Sequence, residues 1–232
     1  MKTNRFLLAA IFALAITFTF SCSGGDDGLF GDSCPNAVTS SNTVSCGGQT
    51  YRTVKIGEQV WMAENLNYNA SGSKCYGEGG VVGEIVLSPD EIRAYCDTYG
   101  RLYTWTMALT ACPSGWHLPN NNEWGTLRRF AGGSDSAATK LKAESGWSEN
   151  GTDAYGFSAL PGGYGTSFQS GGMPASLHFK YAGTTGQWWS TSYPDDEPDV
   201  AYYFYIFTTY ASLNAGNGFK VDFFSVRCVK DE

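Results

Sequence analysis

The chain has 232 residues, with 29 glycines, 15% aromatic residues and only 16% charged residues. This composition excludes a disordered polyampholyte, a coiled coil and an ordinary helical bundle, and the length fits one domain behind a leader. The net charge of −7 argues against nucleic-acid binding, because a groove for nucleic acid needs a basic face to neutralise phosphates.

The first 21 residues have the pattern of an export signal. Two basic residues precede the apolar run 6–20, which is too short to cross about 30 Å of hydrocarbon and predicts a cleaved signal peptide. Cys22 follows a sequence that resembles the cleavage box of bacterial lipoproteins, so we expect it to carry a lipid; the alternative is a simple secretory peptide cut nearby. We expect anchoring to the outer membrane by this lipid alone, with display at the cell surface.

Residues 22–45 predict a flexible, acidic and Ser-rich tether before a domain that spans residues 46–230. The acidic run 23–27 resembles the export signal of some surface lipoproteins, with a plain solvated linker as the alternative. In the domain, polar and apolar residues alternate over 51–56 and predict a half-buried strand, with 59–62 as its hairpin partner.

Two helices follow from the next pattern. Asn120 and Glu123 have the spacing of a capping box, so the sequence predicts a helix from there to about Phe130. A second short helix is predicted over residues 136–143, and a weaker third one near residues 103–110.

The C-terminal third consists of short strands and Gly-rich loops. The best strand candidates are residues 187–190, 201–207 and 219–229. Together with the two or three short helices, they predict an α+β fold. Cysteine usage adds to this, because an even number of cysteines in an exported chain predicts disulfides. Apart from Cys22, these cysteines are Cys34, Cys46, Cys75, Cys96, Cys112 and Cys228.

Five ordered blocks of the sequence carry a resemblance to a known family: residues 55–68, 99–105, 112–119, 155–163 and 224–228. Across residues 46–230 the chain resembles the Fibrobacter succinogenes major paralogous domain. The run 115–124 and the closing Phe-Ser-Val-Arg-Cys are also similar to formylglycine-generating (sulfatase-modifying) enzymes, which have a C-type-lectin-like fold.

The resemblance implies that fold here: small antiparallel sheets that bring the two chain ends together, short helices, long Gly-rich loops and disulfide staples. It further implies the pairings Cys112–Cys228 and Cys75–Cys96, which leaves Cys34 with Cys46.

The resemblance to formylglycine-generating enzymes also raises the question of catalysis. Their chemistry depends on a reactive cysteine pair, but after Cys112 this chain offers only Cys228, and the implied disulfide occupies both. The chain has two histidines, too few to favour a Ser-His-Asp triad or a zinc site. We interpret His117 as a packing residue and His178 as a strand position. We therefore expect no enzyme, with a cysteine-dependent oxidase-like activity as the alternative, and a pair of carboxylates stays open.

A binding function rests on aromatic and amide side chains between residues 188 and 217. Exposed rings can stack on the apolar face of a sugar, although alternating rings in a strand are more often core residues. We expect a non-catalytic domain that binds an extracellular glycan or protein; the alternative is a structural or adhesion subunit of the cell surface. The candidate contact residues are Trp188, Trp189, Tyr193, Tyr202, Tyr205, Tyr210, Asn214 and Asn217.

An acidic loop in the same region is a candidate calcium site, and a solvated loop is the alternative. No other cofactor is expected. The candidate ligands are Asp195, Asp196, Glu197 and Asp199. Glu197-Pro198-Asp199 only approaches the sugar-binding motif of C-type lectins.

Overall fold

A computed structural model describes residue 34 and residues 38–168 and 176–232. The expected signal peptide 1–21, the lipidation site Cys22 and the tether up to residue 33 lie outside the described residues. Within these residues the architecture is α+β, with mostly antiparallel sheets and a few short helices. No helix in this part of the chain is long and apolar enough to cross a membrane.

The helices of the described chain are α1 (Pro89–Tyr99), α2 (Trp105–Ala111), α3 (Asn121–Phe130) and α4 (Ala137–Leu141). The capping box that predicts α3 is confirmed. Oδ1 of Asn120 accepts from the backbone N–H of Glu123 at 3.1 Å, and Oε2 of Glu123 accepts from that of Asn120 at 2.7 Å. The structure also has the other two expected helices, with α4 shorter than residues 136–143 and α2 starting slightly later than expected.

Helix α1 was not predicted, although its start carries a capping box. Ser88 caps it and Glu91 reaches back to the Ser88 backbone N–H at 2.8 Å, with Pro89 in the first turn. Cys96 is the only buried residue of the helix. Because α1 lies on the surface, it lacks the apolar stripe from which helices are usually predicted.

The strands form three sheets in the described part of the chain. Their bounds are β1 (Val38–Thr39), β2 (Thr43–Cys46), β3 (Gln49–Ile56), β4 (Gln59–Met62), β5 (Val81–Val82), β6 (Leu102–Tyr103), β7 (Trp116–His117), β8 (Tyr164–Phe168), β9 (Ser176–Lys180), β10 (Thr185–Trp189), β11 (Val200–Phe207), β12 (Asn214–Phe219), β13 (Phe224–Ser225) and β14 (Val229–Lys230).

The first sheet joins the two ends of the domain in the order β1-β2-β3-β4-β14-β7. The expected hairpin is β3–β4, and its turn contains Gly57 at φ +64°, a left-handed conformation that favours glycine. Part of the expected tether belongs to the folded domain. It contributes β1 and most of β2, and Val44 and Cys46 of β2 are buried in the core. The last strand, β14, lies between β4 and β7.

The second sheet has the order β12-β11-β10-β13-β6, and the third has the order β5-β9-β8. Strands β10 and β11 match the expected strands at residues 187–190 and 201–207. The expectation of one strand over residues 219–229 is wrong: a turn, with the backbone N–H of Asp222 bonded to the Phe219 carbonyl at 2.8 Å, separates β12 from β13. The chain then leaves this sheet and enters the first one as β14.

A buried arginine connects the segments that carry the family resemblance. Arg227 is fully buried, forms no ion pair within the described residues, and donates to Oδ1 of Asn65 at 2.7 Å and to the carbonyl of Phe157. Its guanidinium also lies 4.4 Å from the centroid of the Phe157 ring. Burial lowers the Arg227 pKa to about 9. We conclude that Arg227 holds the 55–68, 155–163 and 224–228 blocks together in the core.

Three disulfides staple the described chain: Cys34–Cys46, Cys75–Cys96 and Cys112–Cys228. These are the pairings that the resemblance implies. The last one spans 116 residues and ties the loop after α2 to the segment just before β14. It therefore holds the end of the domain in the first sheet.

Candidate functional site

The expected contact residues on β11 and β12 divide between the two faces of the second sheet. Tyr205 pairs directly with Asn214, and Tyr202 with Asn217. Because directly opposed residues share a face and faces alternate along a strand, Tyr205 and Asn214 lie on one face and Tyr202 and Asn217 on the other. The expected set is therefore not one surface.

Trp188 and Trp189 do not reach solvent, so the expectation that they contact a ligand is corrected. Both side chains have 0% exposure. The indole of Trp188 donates to Oδ1 of Asn65 at 2.8 Å, and that of Trp189 donates to the carbonyl of Tyr103 at 2.8 Å. They are core residues because large rings in a strand packed on both faces gain most from burial.

On the Tyr205 face, aromatic rings form a continuous series that we call the aromatic row. Successive ring centroids are separated by 4.7–5.9 Å. The members, in spatial order, are Tyr181, Tyr164, Phe224, Tyr203, Tyr205, Phe207 and Tyr210. The two terminal tyrosines are 55% and 50% exposed, whereas Phe224 in the middle is buried. The row therefore offers half-exposed ring surface on either side of a fixed centre.

Two glycines of β12 make room for the centre of the row. A Cβ on Gly216 would lie 2.9 Å from Cζ of Tyr203, and one on Gly218 would lie 3.1 Å from the ring of Phe224. Both distances are too short for ordinary van der Waals contact. The Gly-Asn-Gly sequence of this strand thus lets the Tyr203 ring lie against the sheet.

Tyr203 and Tyr164 of the row keep their phenol protons at neutral pH. Burial is the largest cause that raises the pKa of Tyr203, and the neighbouring Tyr205 adds to it. Burial likewise raises the pKa of Tyr164. Both hydroxyl groups can therefore donate as well as accept hydrogen bonds.

A cavity of about 560 Å³, the side pocket, adjoins the aromatic row between the second and third sheets. Its walls include Tyr164, Tyr203 and Phe224 from the row. Gln187 of β10 also lines it, is 6% exposed, and has its Oε1 atom buried without a hydrogen-bond partner in the described structure. An unpaired buried acceptor of this kind costs about 1–3 kcal/mol, so it needs an explanation.

Charged groups at the side pocket are mainly acidic. Asp222 and Glu197 are among its lining residues, with Lys180 as the counter-charge. Burial raises the pKa of Asp222, while hydrogen bonds from the Thr166 side chain and from the backbone of Phe219 and Ser167 oppose the shift. The pocket can therefore accept hydrogen bonds from a ligand and disfavours an anion.

The acidic loop is held by a lysine. Nζ of Lys220 donates to the carbonyl of Pro198 at 2.6 Å and lies 4.5 Å from the ring centroid of Tyr193, one of the expected contact residues. Among the described residues, no group of three or more His, Cys, Asp or Glu side chains is arranged to hold a metal ion. The calcium site expected at Asp195, Asp196, Glu197 and Asp199 stays a prediction.

His117 is not the packing residue that we expected. Its Nδ1 lies 2.6 Å from Asp231 and its Nε2 2.7 Å from Glu123, and its side chain is 39% exposed. Burial lowers its pKa, but the hydrogen bonds to Asp231 and Glu123 outweigh burial and the net pKa is raised. The residue is an ion-pair bridge between the C-terminal segment and α3. His178 occupies β9, as expected.

Sequence reasoning missed most of the aromatic row and Gln187. Along 202–207, every second residue is Tyr203, Tyr205 or Phe207, and the alternate positions include the buried Phe204 and Ile206. That period of two indicates which ring is core and which is wetter. The contributions of Tyr164, Tyr181 and Gln187 have no local signal, since other segments of the chain supply them.

Of the comparisons with known proteins, the one with family models gives a match, and it covers most of the domain. A family model described as the Fibrobacter succinogenes major domain matches residues 54–230. Neither the curated proteins nor the solved structures contain a significant match to the chain.

Proposed function

The chain belongs to the Fibrobacter succinogenes major domain family, and for this member we propose an exported, lipid-anchored domain that binds an extracellular glycan without catalysis. The aromatic row is the binding surface. An extracellular protein is the alternative ligand, and a structural or adhesion role is the alternative function. The expected display at the surface of the outer membrane is part of this proposal.

One observation carries the proposal: a row of rings, half-exposed at its two ends, adjoins a pocket lined by Gln187, whose buried Oε1 has no hydrogen-bond partner among the described residues. Rings bind the C–H faces of sugars, and fixed polar groups beside them select hydroxyl groups. Tyr203 belongs both to the row and to the wall of the side pocket, so the ring surface and the polar groups are adjacent.

We also propose that the α+β architecture is C-type-lectin-like. Support comes from the first sheet, in which β14 pairs with β4 and so joins the ends of the domain. The Cys112–Cys228 disulfide next to this junction adds to it.

A glycan array tests the proposal. The full chain, purified in mild detergent, is screened with calcium and again with a chelator. We expect reproducible hits that Tyr205→Ala weakens by at least about tenfold, in line with the loss of one stacking ring. Tyr202→Ala is the matched control, because it removes a tyrosine from the opposite face of the same strand. Loss of the hits in chelator would place calcium in the site.

Three results would contradict the proposal. A blank array under both conditions removes the glycan and leaves a protein ligand. Equal effects of the Tyr205 and Tyr202 variants on glycan binding would show that the aromatic row is not the binding surface. A mass that rises with concentration in sedimentation, and that Tyr205→Ala abolishes, assigns the row to assembly.

The enzyme alternative has its own test. The described cysteines are all paired in disulfides, so a cysteine-dependent oxidase mechanism requires at least one of them to be reducible under native conditions. Thiol titration of the folded chain measures this directly. A reactive thiol pair that turns over with a thiol substrate would favour the enzyme.

A further inference from the structure

The side pocket has acceptors to offer a ligand. Gln187 lines it, and the Oε1 atom of this residue is buried without a hydrogen-bond partner in the described chain. Its side chain comes from the middle of β10, between strands β11 and β13, so it cannot swing out to solvent. Such an acceptor gains a partner when the Gln187 amide turns towards the pocket and a ligand there donates an O–H or N–H to it.

The charges around the pocket restrict which class of ligand can bind there. Asp222 and Glu197 place two carboxyl groups on its lining, and Lys180 supplies one ammonium group. Hydrogen bonds from Thr166 and the nearby backbone already engage the Asp222 carboxyl group, so it is fixed in place. An anionic ligand would meet repulsion from both acids, whereas hydroxyl and amino groups would find acceptors.

The shape of the walls selects a ring with one apolar face. Tyr203 and Phe224 lie with their ring centroids 4.7 Å apart, and Tyr164 lies 5.9 Å from Phe224. These rings form the apolar part of the pocket wall, next to the polar groups. A sugar in its ring form presents both a C–H face and a rim of hydrogen-bond donors.

We infer that the side pocket binds one neutral or amino sugar unit, whose hydroxyl or amino group donates to Oε1 of Gln187, and that it excludes acidic sugars. This inference rests on the proposed glycan function and specifies its end subsite. The rest of the glycan then lies along the aromatic row towards Tyr210.

The test uses single sugars on the full chain in detergent. Saturation-transfer NMR and calorimetry compare D-glucose, D-galactose, N-acetyl-D-glucosamine, D-glucosamine and D-glucuronate. We expect binding of at least one neutral or amino sugar and none of D-glucuronate. Gln187→Leu, which keeps the side-chain size but removes the acceptor, weakens that binding about tenfold, the effect of one lost hydrogen bond.

Thermal unfolding separates this role from a structural one. Because Gln187→Leu removes an unpaired buried acceptor, the melting temperature of the variant without sugar should stay the same or rise while its sugar affinity falls. Gln49→Leu, an exposed position in β3 of the first sheet, is the control and should change neither quantity.

The outcomes distinguish this inference from the proposed function. Array hits that depend on Tyr205 but not on Gln187 overturn the inference and keep the function. D-glucuronate that binds as tightly as D-glucose overturns the inference as well, and so does an array-positive chain that binds none of the single sugars. A blank array overturns both.

Discussion

The indole N–H of Trp188 and the side-chain oxygen of Asn65 are hydrogen-bonded at 2.8 Å across 123 residues of sequence. The same oxygen accepts from Nη2 of Arg227 at 2.7 Å, and the Asn65 amide donates to the carbonyl of Tyr99 at 2.9 Å. One buried amide thus connects four segments of the chain.

Asn65→Ala should destabilise the domain by at least about 3 kcal/mol, because it leaves the Trp188 indole N–H and the Arg227 guanidinium without their shared acceptor. Asn65→Asp keeps an acceptor oxygen and should cost less. Urea unfolding followed by tryptophan fluorescence measures both. A midpoint for Asn65→Ala equal to that of the wild type would contradict the role of this amide.

Removal of the Cys112–Cys228 disulfide should cost more than removal of Cys34–Cys46. The bonds span 116 and 12 residues, and chain entropy predicts about 4.7 kcal/mol for a loop near the first length and about 3 kcal/mol near the second. Guanidinium unfolding of the two Cys→Ala double variants gives the comparison. A larger loss for the short loop would show that packing, not loop closure, sets the order.

The His117 bridge makes stability depend on pH in a defined direction. Because the hydrogen bonds to Asp231 and Glu123 raise the folded-state pKa of His117, its stabilisation is complete below the unfolded-state pKa of about 6.5 and is lost as pH rises through the folded-state pKa. The stability difference between wild type and His117→Gln should therefore be larger at about pH 6 than at about pH 9. Its size is about 1 kcal/mol or less, since solvent screens this half-exposed group.

NMR titration of the His117 ring measures the shift directly. His178→Gln is the control for removal of an imidazole, since among the described residues the His178 ring hydrogen-bonds to the hydroxyl of Ser176 and to no carboxylate. A His117 pKa at or below its usual value, or a stability difference that grows with pH, would refute the bridge.

Gly216→Ala should weaken glycan binding and leave the fold intact. A Cβ at this position meets the Tyr203 ring at 2.9 Å and pushes it out of the aromatic row, whereas the backbone of β12 is extended and tolerates alanine. Ala215→Ser, at an exposed position on the opposite face of the same strand and outside the lining of the side pocket, is the control. Glycan affinity by calorimetry and melting temperature by circular dichroism measure the two effects. Unchanged affinity would mean that glycan binding does not depend on the position of the Tyr203 ring against β12.

Sequence reasoning predicted α3 and the β3–β4 hairpin from local signals. The side chains of Asn120 and Glu123 determine where α3 begins, and Gly57 permits the β3–β4 turn, so a short stretch of sequence was enough. Helix α1 escaped because its residues are mostly exposed and only Cys96 is buried. Periodic hydrophobicity reports burial, and a surface helix has little of it.

The candidate site was harder to predict because it is assembled from distant strands. Tyr164, Gln187, Tyr203 and Phe224 belong to four strands and meet only through sheet order and register. Trp188 and Trp189 attracted attention as large rings, yet the sheet buries both. Composition identified the region correctly as aromatic, and only the pairing of strands showed which rings share a face.

The position of β14 makes the first sheet depend on the strand that follows all the others in the described chain. This strand is almost the last part of the chain, yet it lies inside the first sheet and supplies the partner of both β4 and β7. Until Val229 and Lys230 are present, both neighbours have unpaired edges that can join another chain. Deletion of Val229 and Lys230 therefore affects more than the surface: it removes the strand that joins β4 to β7 and leaves backbone groups of both strands unpaired.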